Sequence, residues 1–228
     1  MQLVTTPAVA VQRDLRAEIV HNYPAGRVLV AVDGAPGAGT AEFADGMASV
    51  FAEAGWSTAR ASIEDFHRPR ADRYADGRRS ARGYYESSYD YRTLRRVLID
   101  PFRMAGSAGF QTAAFDVRRD APIVASWQTG PADIALFVDG IFLNRPELSG
   151  AWHYSVFLDV PLETAYARLS ATARRDPDPR AEANARYVGG FQRYETEVQP
   201  RLAASAVVDN SDQEHPRRVF VDTGCSSF

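Results

Sequence analysis

The sequence predicts an α/β domain in which a mostly parallel sheet carries helices on both faces. Two near-continuous apolar runs point to it, Arg27-Val28-Leu29-Val30-Ala31-Val32 and Ile134-Ala135-Leu136-Phe137-Val138. Strands apolar at every position are buried on both sides, as in a parallel sheet covered by helices. The third observation is an alternation: each run ends in Asp-Gly, and the first then passes through a glycine-rich turn into a helical pattern over Thr40 to Ala54. Strand, turn and helix in that order build βαβ units.

The remaining elements follow in chain order. Val11 to Val20 has helical spacing and ends at the turn-like Tyr23-Pro24-Ala25-Gly26, which predicts a leading helix. Within Thr40 to Ala54, Phe43, Met47, Val50 and Phe51 share one face. Ser57 to Ile63 is a second strand. The arginine-rich stretch Glu64 to Arg82 is too long for a plain connector and reads as a functional or disordered loop. Leu94 to Leu98 has helical character, while Gln111 to Val117 and Ile123 to Trp127 read as strands of a hairpin-like excursion. Ser155 to Leu158 is another strand, with a helix starting near Pro161. The charged stretch Arg174 to Arg186 reads as a mobile segment. No repeat divides the chain, so residues 1–228 are assigned to one domain, with a leading helix in 1–26, a core in 27–210 and a C-terminal extension in 211–228.

Composition narrows the function. Hydrophobic residues make up 45% and charged residues 24%, the balance of a soluble globular protein, and no apolar run nears the roughly 20 residues that cross a bilayer. The start has no basic region followed by an apolar stretch, so a cytoplasmic location and no membrane partner are expected. The one cysteine, Cys225, cannot form an internal disulfide. A net charge of −3 argues against nucleic acid as a partner and leaves small anions open. All 26 basic residues are arginine, so no mechanism here uses a lysine.

The chemistry concentrates after the strands. Gly34, Ala35, Pro36, Gly37, Ala38 and Gly39 lie between a buried strand and a helix, where successive backbone N–H groups converge on a phosphate. The alternative is a tight connection with no ligand. Gly34 and Gly39 match the glycines of G-x-x-x-x-G-K-[ST], but Thr40 and Ala41 stand where that pattern has its lysine and its metal-binding hydroxyl. Glu64 and Asp65 follow the second strand, where either could act as general base toward a hydroxyl or simply face solvent. Asp139 ends the Ile134 to Val138 strand, in the place of a magnesium-holding acid or of a turn-forming aspartate. Arg168, Arg174, Arg175, Arg180 and Arg186 are candidates to fold over a nucleotide, or form a solvated face. Tyr84, Tyr85, Tyr89 and Tyr91 could stack on a base or pack on the surface, and His67 could contact substrate.

The order of these motifs resembles the uridine kinase family of P-loop kinases from about Arg27 to Asn210. The matching segments are Val32 to Gly39 for the phosphate loop, Ser62-Ile63-Glu64-Asp65-Phe66-His67, Tyr89-Asp90-Tyr91, Phe137-Val138-Asp139-Gly140-Ile141, Arg175-Asp176 and Val207-Val208-Asp209-Asn210. The resemblance implies a P-loop fold with an arginine-containing lid and transfer of the γ-phosphoryl group of ATP or GTP, with Mg2+, to the 5′-hydroxyl of uridine or cytidine. It casts Glu64, or Asp65 in the shifted register, as the catalytic carboxylate, Arg175 as a lid arginine, and Asp139 as the metal ligand. His67, Tyr85, Asp90 and Arg168 become substrate contacts, and residues 34–41 hold the donor phosphates. Three departures touch catalysis: Thr40 replaces the lysine, Ala41 the hydroxyl and Glu64 the aspartate. A weakened Mg2+ site is therefore expected. Two outcomes stay open, a phosphotransferase acting on a nucleoside or related hydroxylated molecule, with homo-oligomers allowed, and a protein that binds nucleotide or nucleoside without phosphoryl transfer.

Overall fold

The computed structural model describes residues 2–104, 106, 108–173 and 175–220. Its strands are β1 (Arg27–Gly34), β2 (Ser57–Ser62), β3 (Phe115–Asp116), β4 (Ala121–Pro122), β5 (Ile134–Gly140), β6 (Tyr154–Asp159), β7 (Ala206–Asp209) and β8 (Arg217–Val219). Six of them form one sheet in the order β2-β5-β1-β6-β7-β8, parallel throughout except for β8. The four strands expected from sequence, at 27, 57, 134 and 155, are thus parallel neighbours. Val30 of β1 lies opposite Phe137 of β5 and Tyr154 of β6, so β1 is central and every residue in it is buried.

The period of two along β1 divides the interior into two layers. Val28, Val30 and Val32 face helices α1 (Pro7–Asn22) and α2 (Thr40–Glu53), together with Phe43, Met47, Val50 and Phe51 of α2, the four residues expected on its inner face. Leu29 and Ala31 face the opposite layer, where a tyrosine-rich cluster is completed by residues of α4 (Ala81–Ser87) and α8 (Ala185–Val198). Shorter helices are α3 (Arg70–Arg73), α5 (Tyr91–Leu94), α6 (Asp100–Met104) and α9 (Pro200–Ala203), and α7 (Leu162–Ala173) follows β6. A π-helical stretch, Arg95–Ile99, joins α5 to α6. Thr6 starts α1, its hydroxyl accepting from Val9 N at 3.2 Å ahead of Pro7. Among the described residues no helix is long and apolar enough to cross a membrane.

Several local expectations are corrected. The hairpin is far shorter than Gln111 to Val117 paired with Ile123 to Trp127: β3 and β4 hold two residues each. Asp116 accepts from Arg118 N at 2.9 Å and Arg119 N at 3.1 Å, which turns the chain early, and Pro122 has no N–H to extend the ladder. Ile123 to Trp127 is no strand, and Trp127 remains 61% exposed because nothing packs over it. Glu64 to Arg82 is largely structured, with a 3₁₀ turn at Ile63–Phe66, then α3 and the start of α4. Arg186 is the reason, since it donates to the carbonyls of Arg73 (2.8 Å), Gly77 (3.2 Å) and Ser80 (3.0 Å). In the 174–186 segment, Asn184 Nδ2 donates to Asp176 O (2.9 Å) and Asp178 O (2.8 Å), pinning that loop to the start of α8. Strands β7 and β8 were not anticipated, and β8 carries the sheet beyond residue 210 into the stretch read as an extension.

Candidate active site

At the C-terminal edge of the sheet a cleft of about 490 Å3 opens between the glycine loop, the 3₁₀ turn after β2, and α8. Open parallel sheets bind ligands at this edge. The loop leaves β1 at Gly34 and enters α2 at Thr40, with Gly39 capping the helix at φ +86°. Gly37, at φ +85°, is crowded by backbone, because a Cβ there would lie 2.3 Å from the Ala165 carbonyl oxygen. Only glycine lets α7 close this tightly on the loop. Asn210, buried at the end of β7, donates from Nδ2 to Ala38 O at 2.7 Å and holds the loop from the far side. The α2 N-terminus thereby aims its free N–H groups into the cleft, the arrangement that binds phosphate.

Below the loop, Asp33 is fully buried. Its Oδ2 accepts from the Tyr194 hydroxyl of α8 and from Asn144 Nδ2 at 2.7 Å, while Oδ1 has no partner. Burial pushes its carboxyl up to about 6, against the pull of those two donors.

Glu64 is the carboxylate that faces the cleft. Tyr89 Oη donates to its Oε1 at 2.6 Å, and His67 Nε2 stands 3.7 Å from Oε2. His67 Nδ1 lies 2.7 Å from the Glu64 carbonyl, which can only accept, so Nδ1 carries a proton and donates to it. Asp65 follows but does not line the cleft. Its carboxyl is held above the usual range by burial, then by the negative charges of Asp139 and Glu64.

Asp139 also lines the cleft, and both its oxygens are engaged. Arg60 Nη2 donates to Oδ1 at 2.8 Å, and Ser62 Oγ donates to Oδ2 at 3.1 Å. Burial raises the Asp139 carboxyl while Arg60 and Ser62 draw it back. In this kind of fold magnesium is held by the loop hydroxyl and by the acid at the strand end. Here Ala41 has no hydroxyl and Asp139 is paired with a guanidinium. Among the described residues, no group of three or more His, Cys, Asp or Glu is placed to hold a metal. These residues do not fit a protein-held magnesium site.

The wall opposite the loop is cationic and aromatic. Arg73, Arg175 and Arg186 line it with Tyr74, Tyr84 and Tyr187. Arg175 stacks at 3.8 Å over the Tyr187 ring, and Arg186 at 4.7 Å over Tyr74. Arg73 is paired with Asp120 at 3.1 Å.

Of the residues singled out in sequence, the cleft unites Gly34, Ala35, Pro36, Gly37, Thr40 and Ala41 with Glu64, His67, Tyr84, Tyr89, Asp139, Arg175 and Arg186. It does not include Ala38 and Gly39, which shape the loop from behind, nor Asp65, Tyr85, Asp90, Tyr91, Arg168 and Arg180. Asp90 caps α5, accepting from Thr93 N at 2.9 Å and Thr93 Oγ1 at 2.7 Å. Tyr85 is buried against Phe142 and under the Arg145 guanidinium, 4.1 Å from its ring. Arg168 donates to the carbonyls of Asn210 (2.9 Å) and Ser211 (2.7 Å), Tyr91 is buried, and Arg180 is exposed. Arg174 lies outside the described residues. Ser62 and Asn210 lay in matching segments without a role of their own, Arg73 was one of the arginines of 68–82 that could stand in for the missing lysine, and Arg60 had no role, its one available signal being a charged residue inside a strand that precedes Glu64.

With this geometry in view, the fold and the loop define a P-loop kinase fold. No family model matches the chain, and no curated protein matches it. Solved structures do. A possible uridine kinase from Bacillus stearothermophilus superposes with a TM-score of 0.61 at 21% identity, over 85% of this chain and 98% of that one. A protein proposed as a fructose transport system kinase from Silicibacter sp. TM1040 gives 0.63 at 23% identity, over 85% and 95%. The D-glycerate 3-kinase of Cryptococcus neoformans var. grubii gives 0.57 at 10% identity, over 86% and 90%. At such identities the likeness establishes the fold.

Proposed function

We propose that the chain is a kinase-like phosphotransferase that binds ATP or GTP on its glycine loop and phosphorylates a hydroxyl of a nucleoside or related small molecule. The observation that carries this reading is the single cleft joining the loop, the Glu64 carboxylate and Arg175. The neighbours, described as kinases of small molecules, support it. In this reading the acceptor sits among Tyr84, Tyr89 and Tyr187, and Glu64 takes the proton of its hydroxyl. The freed oxygen attacks the γ-phosphorus, the bond to the β,γ-bridging oxygen breaks, and the diphosphate leaves with that oxygen. Arg175 spreads positive charge over the transferred group, the role a lysine fills elsewhere.

A second reading, nucleotide binding without transfer, is favoured by one specific observation. Thr40 and Ala41 remove the usual lysine and hydroxyl, and Arg60 holds Asp139. Single-turnover assays with γ-labelled ATP and GTP across a nucleoside, sugar and hydroxy-acid panel separate the two. Labelled product that vanishes in Glu64→Gln supports transfer. Nucleotide binding with no product from the native chain or from Thr40→Lys with Ala41→Thr supports the second reading.

A further inference from the structure

In this chain a guanidinium stands beside the two groups that would otherwise hold a metal ion, and we infer that the glycine loop binds nucleotide phosphates without a divalent cation, with Arg60 as the fixed counter-charge of the site. The inference rests on the reading that the cleft takes a nucleotide.

Arg60 lies in β2, at the edge of the sheet, with its side chain directed toward α2. Its Nε donates to Asp45 Oδ1 at 2.7 Å, Nη1 to Phe137 O at 3.0 Å, and Nη2 to both Ala41 O at 3.2 Å and Asp139 Oδ1 at 2.8 Å. These four acceptors come from two elements, α2 and β5, so the guanidinium is clamped in one orientation. It bridges residue 41, where the loop hydroxyl would be, to residue 139, the acid at the strand end.

Two consequences follow. A magnesium ion bound at roughly 2.0–2.1 Å from a carboxylate oxygen would compete with Arg60 for Asp139 and meet a fixed positive charge beside it. Paired with Arg60, which it shares with the exposed Asp45, Asp139 also repels an incoming polyphosphate less, which is one service a metal renders at such a site. The loop N–H groups then meet the phosphates without a metal between them. The two loop changes agree with this arrangement, because Thr40 brings no competing cation and Ala41 no metal ligand.

The test is nucleotide binding by calorimetry, using ATP and ADP in EDTA and again in Mg2+, with Mn2+ alone titrated by electron paramagnetic resonance. The expected result is the same affinity in EDTA and in Mg2+, and no Mn2+ bound by the protein alone. Arg60→Met leaves the Asp139 charge uncompensated beside the phosphates and should weaken binding in EDTA by about tenfold, and Mg2+ should restore part of it. If that variant does not fold, Asp139→Asn serves, and should bind metal-free ADP at least as tightly as the native chain. The inference is overturned if the native chain binds tenfold more tightly in Mg2+, if Arg60→Met leaves binding in EDTA unchanged, or if Asp139→Asn weakens it. No binding in either condition overturns both the inference and the functional reading, whereas binding that requires Mg2+ overturns the inference alone.

Discussion

The Tyr194 hydroxyl of α8 donates to Asp33 at the end of β1, one residue before the glycine loop begins. This bond ties α8 to the strand that leads into the glycine loop. The burial of Asp33 beneath it sets a pH dependence. The Asp33 carboxyl is pushed from 3.8 to about 6 by burial, so the folded chain holds this proton more tightly than the unfolded chain. An acid raised in the folded state contributes stability below about pH 4, and that contribution is lost as pH rises to about 6. Two units correspond to about 3 kcal/mol. Urea unfolding between pH 4 and 7 should show the native chain losing stability over this window relative to Asp33→Asn, and parallel curves would refute it.

At Gly37 a side chain meets two obstacles, the φ of +85° and the Ala165 carbonyl oxygen 2.3 Å from a Cβ. Gly37→Ala should cost about 1–3 kcal/mol of stability and abolish nucleotide binding, because α7 must retreat from the loop. Thermal melts and calorimetry would record both effects, and a variant that binds normally would show that the loop tolerates a wider turn.

Glu64→Gln should leave nucleotide affinity unchanged and lower turnover by about 10²–10⁴ if Glu64 takes the acceptor proton. Tyr89→Phe removes only the 2.6 Å donor to that carboxylate and should lower turnover by about tenfold. Equal losses in binding and turnover for Glu64→Gln would move Glu64 from chemistry to ligand positioning.

Arg186 satisfies three carbonyls of the segment between α3 and α4 and stacks on Tyr74 and Tyr84. Arg186→Ala should cost about 3 kcal/mol and expose the 73–80 stretch to proteolysis, since buried carbonyls lose their donor. Limited trypsin digestion after Arg73, Arg78 and Arg79 would report it. Unchanged digestion would mean that α3 and α4 hold this wall without Arg186.

What the sequence determined by itself is what depends on neighbours along the chain. The apolar runs at β1 and β5, the inner face of α2 and the glycine spacing of 34 to 39 follow from local periodicity and backbone freedom, and each is where it was expected. The altered pair Thr40 and Ala41 was equally plain. Tertiary structure alone decided the partners. Arg60 is 19 residues from Ala41 and 79 from Asp139, and it meets both only because β2 pairs with β5 in a register that sets Ser62 opposite Asp139. Tyr194 reaches Asp33 across 161 residues because α8 packs under the loop. Asp90, taken from the Tyr89-Asp90-Tyr91 match, caps α5, and Tyr85, taken for its ring, packs on Phe142. A side chain's chemistry is written in its residue type, but whether it meets a ligand, a metal or another side chain depends on long-range packing, which no local pattern encodes.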